Sequence, residues 1–149
     1  MSRAKFRLIL LVVLCLLSGF ASWVWLRPYA WNPDPGARCK VVAAQVRQDR
    51  SFYWLDLHLK PLDGDSHDLM KPVRLVTSSG REIEPADTTL GGKPGRETTD
   101  LWFKFWLEPQ DFEGPLHLRI NEGKLKIRGG SGVPRLGRSG METFPTSNW

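Results

Sequence analysis

Cysteine is scarce, with two among 149 residues. Cys15 lies inside an apolar run and Cys39 beyond it, so the two cannot easily meet, and a disulfide-stapled scaffold is excluded. Cys39 is then an odd thiol. It is expected to be buried and inert, with a disulfide to another chain as the sharper alternative. Nucleophile signatures are also missing. There is no G-x-S-x-G, Cys39 has no His partner near it in sequence, and scattered Ser, His and Asp do not define a triad. The loop Gly91, Gly92, Lys93, Pro94, Gly95, Arg96 lacks the G-K-[ST] order of a phosphate loop. No helical pattern follows it, so no helix dipole would hold a phosphate, and a hairpin loop is expected. These absences point away from an enzyme and imply no cofactor. No segment beyond residue 40 shows a period of 3.6, and there is no internal repeat, so the body is not helical.

Positive charge is thin where a nucleic-acid surface would need it. The net charge is +5. Residues 1–7 contribute +3 and residues 124–140 contribute +5, while Glu142 contributes −1, which leaves −2 for residues 8–123. The basic character therefore sits at the two ends. A nucleic-acid domain carries its charge on the folded body, so no nucleic-acid partner is expected. The stretch 128–140 resembles an Arg/Gly RNA-binding tail, but export would remove it from RNA; a merely soluble tail is expected, with attraction to anionic lipid or cell-wall polymer as the alternative.

What the chain has in quantity is one long apolar run and many aromatic rings. Residues 8–26 contain no charge, and as a helix they roughly match a ~30 Å hydrocarbon core. Arg3, Lys5 and Arg7 precede the run, which favours a cytoplasmic N-terminus over residues 1–7. Trp23 and Trp25 fall where interfacial aromatics sit, and Arg27 follows. Two readings compete: an uncleaved single-pass anchor in a bacterial inner membrane, or a signal peptide cut near Ala21 that releases a periplasmic or secreted body. The apolar continuation through Val24 and Leu26 favours the anchor. Residues 27–38 hold Pro28, Pro33 and Pro35 and read as a semi-rigid linker.

From residue 39 the pattern has period two. Strands are expected at residues 39–48, with Val42, Ala44 and Val46 on one face, and at 52–60, 70–77, 81–84, 100–107, 116–120 and 124–127. Gly123 suits a positive-φ turn position between the last two. Residues 129–149 are rich in Gly, Ser and Pro and read as a flexible basic tail. This layout predicts an all-β domain over residues 39–128, built as an antiparallel β-sandwich. The hairpin VVAAQVRQDRSFYWLDLHLKP, the LVTSSGREI turn and the FKFWLEPQDFEGPLHLRI sequence resemble the small immunoglobulin-like sandwich domains of bacterial exported and membrane-anchored proteins. The resemblance implies an immunoglobulin-like fold with an adhesive or scaffolding role, although the Cys–Trp–Cys arrangement of antibody domains is absent and fold does not fix function.

Three groups of residues carry candidate chemistry. Asp63, Asp65 and Asp68 form the most metal-like segment, but the helical calcium-loop spacing is not met and a solvated turn wants the same residues. His58 and His117 lie on polar faces of their strands. If those strands were neighbours, the imidazoles with Asp56 could bind zinc or copper, as a small periplasmic metal or ligand carrier would. The third group is the outer face of the 100–107 strand. Trp102 and Trp106 flank Lys104 there, and Trp54 occupies the matching face of its own strand. A strand with large apolar residues on both faces is covered on both. The cover is expected from the tail, from an envelope protein partner, or from a stacked glycan.

Overall fold

The computed structural model describes residues 2–26, 34–62 and 64–149. They fall into two compact units, an N-terminal helix and a β body.

Helix α1 spans Arg3–Leu26. It starts ahead of the apolar run because Arg3, Lys5 and Arg7 are themselves good helix formers. Its 24 residues reach about 36 Å. The segment Arg3–Trp25 is long and apolar enough to cross a membrane, and its most apolar window is entirely unburied. A core helix of a globular protein buries one stripe. Here Leu10, Leu14, Leu17 and Phe20 all stand exposed. A membrane anchor and a signal sequence share this character.

The strands of the body are β1 (Cys39–Asp49), β2 (Phe52–Pro61), β3 (Arg74–Val76), β4 (Glu82–Ile83), β5 (Asp87–Gly92), β6 (Thr98–Leu107), β7 (Leu116–Ile120), β8 (Gly123–Arg128) and β9 (Met141–Phe144). They form two sheets, ordered β5-β6-β2-β1-β9 and β4-β3-β7-β8. Each pairing between these strands is antiparallel. Leu55, Leu57, Phe103 and Phe105 from the first sheet and Leu75, Leu118, Leu125 and Ile127 from the second belong to one buried cluster. Alternation explains this: each strand turns every second side chain inward, and those residues are the large apolar ones.

Four sequence expectations are corrected. In β1 a bulge between Val41 and Ala43 resets the alternation. Val41 is therefore buried with Ala44 and Val46, while Val42 is 36% exposed. In the β7–β8 turn the positive φ, 52°, belongs to Asn121 rather than Gly123. Gly123 is needed for space, since a Cβ there would come 2.1 Å from the Ala37 amide nitrogen. The linker expected through residue 38 already belongs to the body from Asp34 onward. Asp34 Oδ1 accepts from Gly36 N at 3.0 Å and Oδ2 from Lys124 N at 2.8 Å, which holds its carboxyl below the usual range. Ala37 is fully buried. Residues 27–33, with Pro28 and Pro33, lie outside the described residues.

The fourth correction concerns residues 129–149, which are docked and not a flexible tail. Strand β9 pairs with the edge of β1, Ala44 opposite Phe144 and Arg47 opposite Met141. Phe144 and Trp149 stack at 4.4 Å and 2°, and Trp149 Nε1 donates to Ile127 O at 3.0 Å. Arg128, only 3% exposed, holds the segment. Its Nε donates to Trp149 O at 2.9 Å, Nη1 to Phe112 O at 3.0 Å, and Nη2 to Gly132 O. The guanidinium also lies over the Phe112 and Trp149 rings, at 5.3 and 5.1 Å. The composition of this stretch misleads because a few aromatic anchors and one buried fork outweigh many Gly and Ser. Replacing Arg128 by Ala removes three charge-assisted bonds and is expected to cost about 2–3 kcal/mol. Denaturant unfolding should show that loss, and hydrogen exchange should show amides 141–144 opening before those of β2. Unchanged exchange in β9 would contradict this role for Arg128.

Candidate functional site

Strands β2 and β6 lie side by side in the five-stranded sheet, with β5 and β1 outside them. Tyr53, Leu55, Leu57 and Leu59 of β2 and Leu101, Phe103, Phe105 and Leu107 of β6 are buried. The opposite parity of the same strands faces out. The register sets Trp54 opposite Trp106, Asp56 opposite Lys104 and His58 opposite Trp102. Trp54, Trp102, Lys104 and Trp106, singled out in the sequence, thus share one outer face, and Phe52 and His58 join them.

The face has two aromatic ends about 13 Å apart, the span of four strand residues. At one end the Trp54 and Trp106 rings meet edge-on at 4.5 Å, and Phe52 stacks on Trp106 at 4.9 Å. Trp54 Nε1 donates to Asp49 Oδ2 at 3.3 Å, which fixes the indole's rotation. At the other end Trp102 stacks on His58, 4.8 Å apart and 10° from parallel. Between them Lys104 Nζ lies 3.8 Å from Asp56 Oδ1 and 5.8 Å from the centre of the Trp54 ring. Trp54 and Trp106 are half-buried by this mutual packing, while Trp102 and Phe52 remain 37% and 36% exposed. Strand β9 adds to the sheet in its plane, beside β1, so this strand does not provide the cover expected from the tail.

Trp102 can lie flat because its neighbour on β5 has no side chain. A Cβ on Gly91 would fall 2.7 Å from Trp102 Cζ3. The imidazole beneath the indole is held in turn. His58 Nε2 donates to Asp100 Oδ1 at 2.7 Å, Thr99 Oγ1 donates to Asp100 Oδ2 at 2.9 Å, and Lys60 Nζ is 4.0 Å from Oδ1. The His58 bond first, then the Thr99 bond and the Lys60 charge, hold the Asp100 carboxyl below its usual range against a smaller opposing effect of burial.

The metal candidates are not brought together. His58 is on β2 of one sheet and His117 on β7 of the other, with the apolar core between. Burial, with Lys124 and Lys126 nearby, lowers the His117 pKa. Asp56 faces Lys104 instead of an imidazole. Asp63 lies outside the described residues. Asp65 is exposed, and Asp68 Oδ1 accepts from Met70 N at 2.9 Å as in a turn. Among the described residues no group of three His, Cys, Asp or Glu side chains could hold a metal ion. Cys39 is 1% exposed, and burial pushes its thiol up to about 12, so it is core and not a bridge to another chain.

Two members of the site escaped the sequence reading. Phe52 has the same parity as Trp54 and was within reach of alternation. The His58–Asp100 bond spans two strands, and only the register reveals it. No protein-family model matches the chain, and no curated protein or solved structure matches it.

Two outcomes follow from this geometry. Gly91→Ala should displace the Trp102 indole and change its near-ultraviolet circular dichroism, and the same substitution should be silent once Trp102 is Phe. An unchanged spectrum in the parent background would contradict the packing. Asp100 contributes stability that is present above the usual carboxylate range and lost as the pH falls through its lowered value. Acid unfolding curves of Asp100→Asn should lack that limb, and coincident curves would show that the pair carries no stability.

Proposed function

We propose that this protein is a membrane-tethered, non-enzymatic binding or assembly module of the bacterial cell envelope, whose β body has an immunoglobulin-like fold. One observation carries the reading. The indoles of Trp54, Trp102 and Trp106 share an outer face in one β register, partly open to solvent and interleaved with Lys104 and Asp56. Trp and Arg dominate the few residues that supply most of the binding energy in protein interfaces. Stacked rings are already ordered, so little side-chain entropy remains to be lost on contact.

Helix α1 supports the tether. It continues without a break past Ala21 to Leu26, so the expected cleavage point lies within regular helix. The basic residues Arg3, Lys5 and Arg7 precede the span, which orients the β body away from the cytoplasm. The partner is then an envelope protein.

Photo-crosslinking in native membranes tests the contact. A photoreactive residue at Thr89, opposite Trp102 across β5 and β6, should give a discrete product with the intact chain. W54A/W102A/W106A should abolish that product while keeping the unfolding midpoint near that of the parent. Undiminished product in a folded triple variant would rule the surface out. Alkaline extraction tests the tether: the chain should stay in the membrane pellet with its N-terminus intact. A soluble form beginning just after Ala21 would replace the anchor with a cleaved signal.

A further inference from the structure

The charge around the aromatic face is uneven. Toward Trp102 the cations of β2 and β6 have acids beside them: Lys104 lies 3.8 Å from Asp56 and Lys60 lies 4.0 Å from Asp100. Three arginines on or beside the other sheet are matched as well, Arg74 with Glu84, Arg119 with Glu82 and Arg81 with Glu108 and Asp111, whereas Lys124 and Lys126 of β8 have no ion pair among the described residues and no indole beside them in register. The Trp54 end differs. Arg47 lies in register with Trp54 on one side and Met141 on the other, and it is exposed. Arg50 is exposed at the β1–β2 turn, with φ 57°. Among the described residues neither guanidinium has an ion pair or hydrogen bond. The acid between them, Asp49, already accepts the Trp54 indole proton. The 137–140 turn, bearing exposed Arg138, is tied to the same end by Gln48 N–H donating to Gly140 O at 2.8 Å.

This end therefore joins rings (Phe52, Trp54, Trp106), a thioether that is 42% exposed (Met141) and guanidinium forks with no acid of their own. Aromatic residues, Met and Arg are the types enriched where proteins meet. An unpaired Arg beside indoles suits a carboxylate that it can bind through two parallel N–H bonds. The flanking rings exclude water and strengthen such a bond. We infer that the partner docks on the Arg47 end of this face through an acidic peptide segment in which a carboxylate neighbours an apolar anchor. The inference rests on the binding reading above and specifies the partner's chemistry.

The test uses the full chain in detergent micelles and three fluorescent peptides of equal length. Each carries the same Leu and Phe residues, and the polar positions are Glu/Asp, Gln/Asn or Lys/Arg. Anisotropy should show the acidic peptide binding at least roughly tenfold tighter than the neutral one, about 1.4 kcal/mol, with the preference shrinking as salt is raised. R47E/R50E should abolish the preference and R47Q/R50Q should reduce it. K124E/K126E, an equal charge change on the other sheet, should leave it intact. Equal binding of acidic and neutral peptides, no binding of any peptide, an unchanged preference in R47E/R50E, or tighter binding to phosphatidylglycerol vesicles than to the acidic peptide would each overturn the inference. None of those results touches the indole-dependent crosslink from Thr89, so the broader reading stands or falls separately.

Discussion

Register between β2 and β6 is the constraint on which the rest depends. Both strands carry large apolar residues on both faces, so the alternation has no cheap error. A slip of one residue would drive His58 and Lys104 into the core and push leucines and phenylalanines out. The native register puts Leu57 opposite Phe103 inside and Trp54 opposite Trp106 outside. The same pairing that closes the core therefore assembles the aromatic surface. Nothing further has to be built for that surface to exist except the small neighbours that leave it room. Gly91 is one of these, and the polar partners of the rings, Asp49 and Asp100, are the others.

The edges of this sheet are handled differently. Strand β5 is short, polar and exposed. On the other side β9 covers the edge of β1, held in place from a distance by Arg128 and Trp149. An open β1 edge would offer unpaired amides to other chains. The C-terminal segment closes it by adding a strand in the plane of the sheet, and the outer face stays accessible. A segment laid across the sheet would instead have hidden the indoles.

Much of this was legible from pattern alone. Alternation located β1, β2, β6, β7 and β8 to within one or two residues, because each is half-buried and reads apolar on every second position. It missed β5, whose sequence DTTLGG has almost no inward apolar residue, and β9, whose four residues sit in a Gly/Ser/Pro-rich stretch. The bulge at Val41 and Ala43 reversed the assignment of Val42, since one extra residue resets the phase. The shared face of Trp54, Trp102 and Trp106 followed from parity. The contacts of His58 did not: parity can say which way an imidazole points, but its bond to Asp100 and its distance from His117 depend on strand order, which no local pattern encodes. The two guanidiniums without acids were likewise invisible, because pairing is a property of the assembled sheet.

In the proposed reading, the single apolar helix is a tether and the two-sheet body carries a binding face. On that reading the outer face of β2 and β6 is occupied in the envelope and bare when the chain is isolated. Oxidative footprinting read by mass spectrometry measures this directly, indole by indole, on the full chain. The account predicts that Trp102, and to a lesser degree Trp54 and Trp106, react in the purified protein and are protected in native envelopes, while Phe103 and Phe105 stay unreactive in both. Equal reactivity of the three indoles in the two preparations would contradict it.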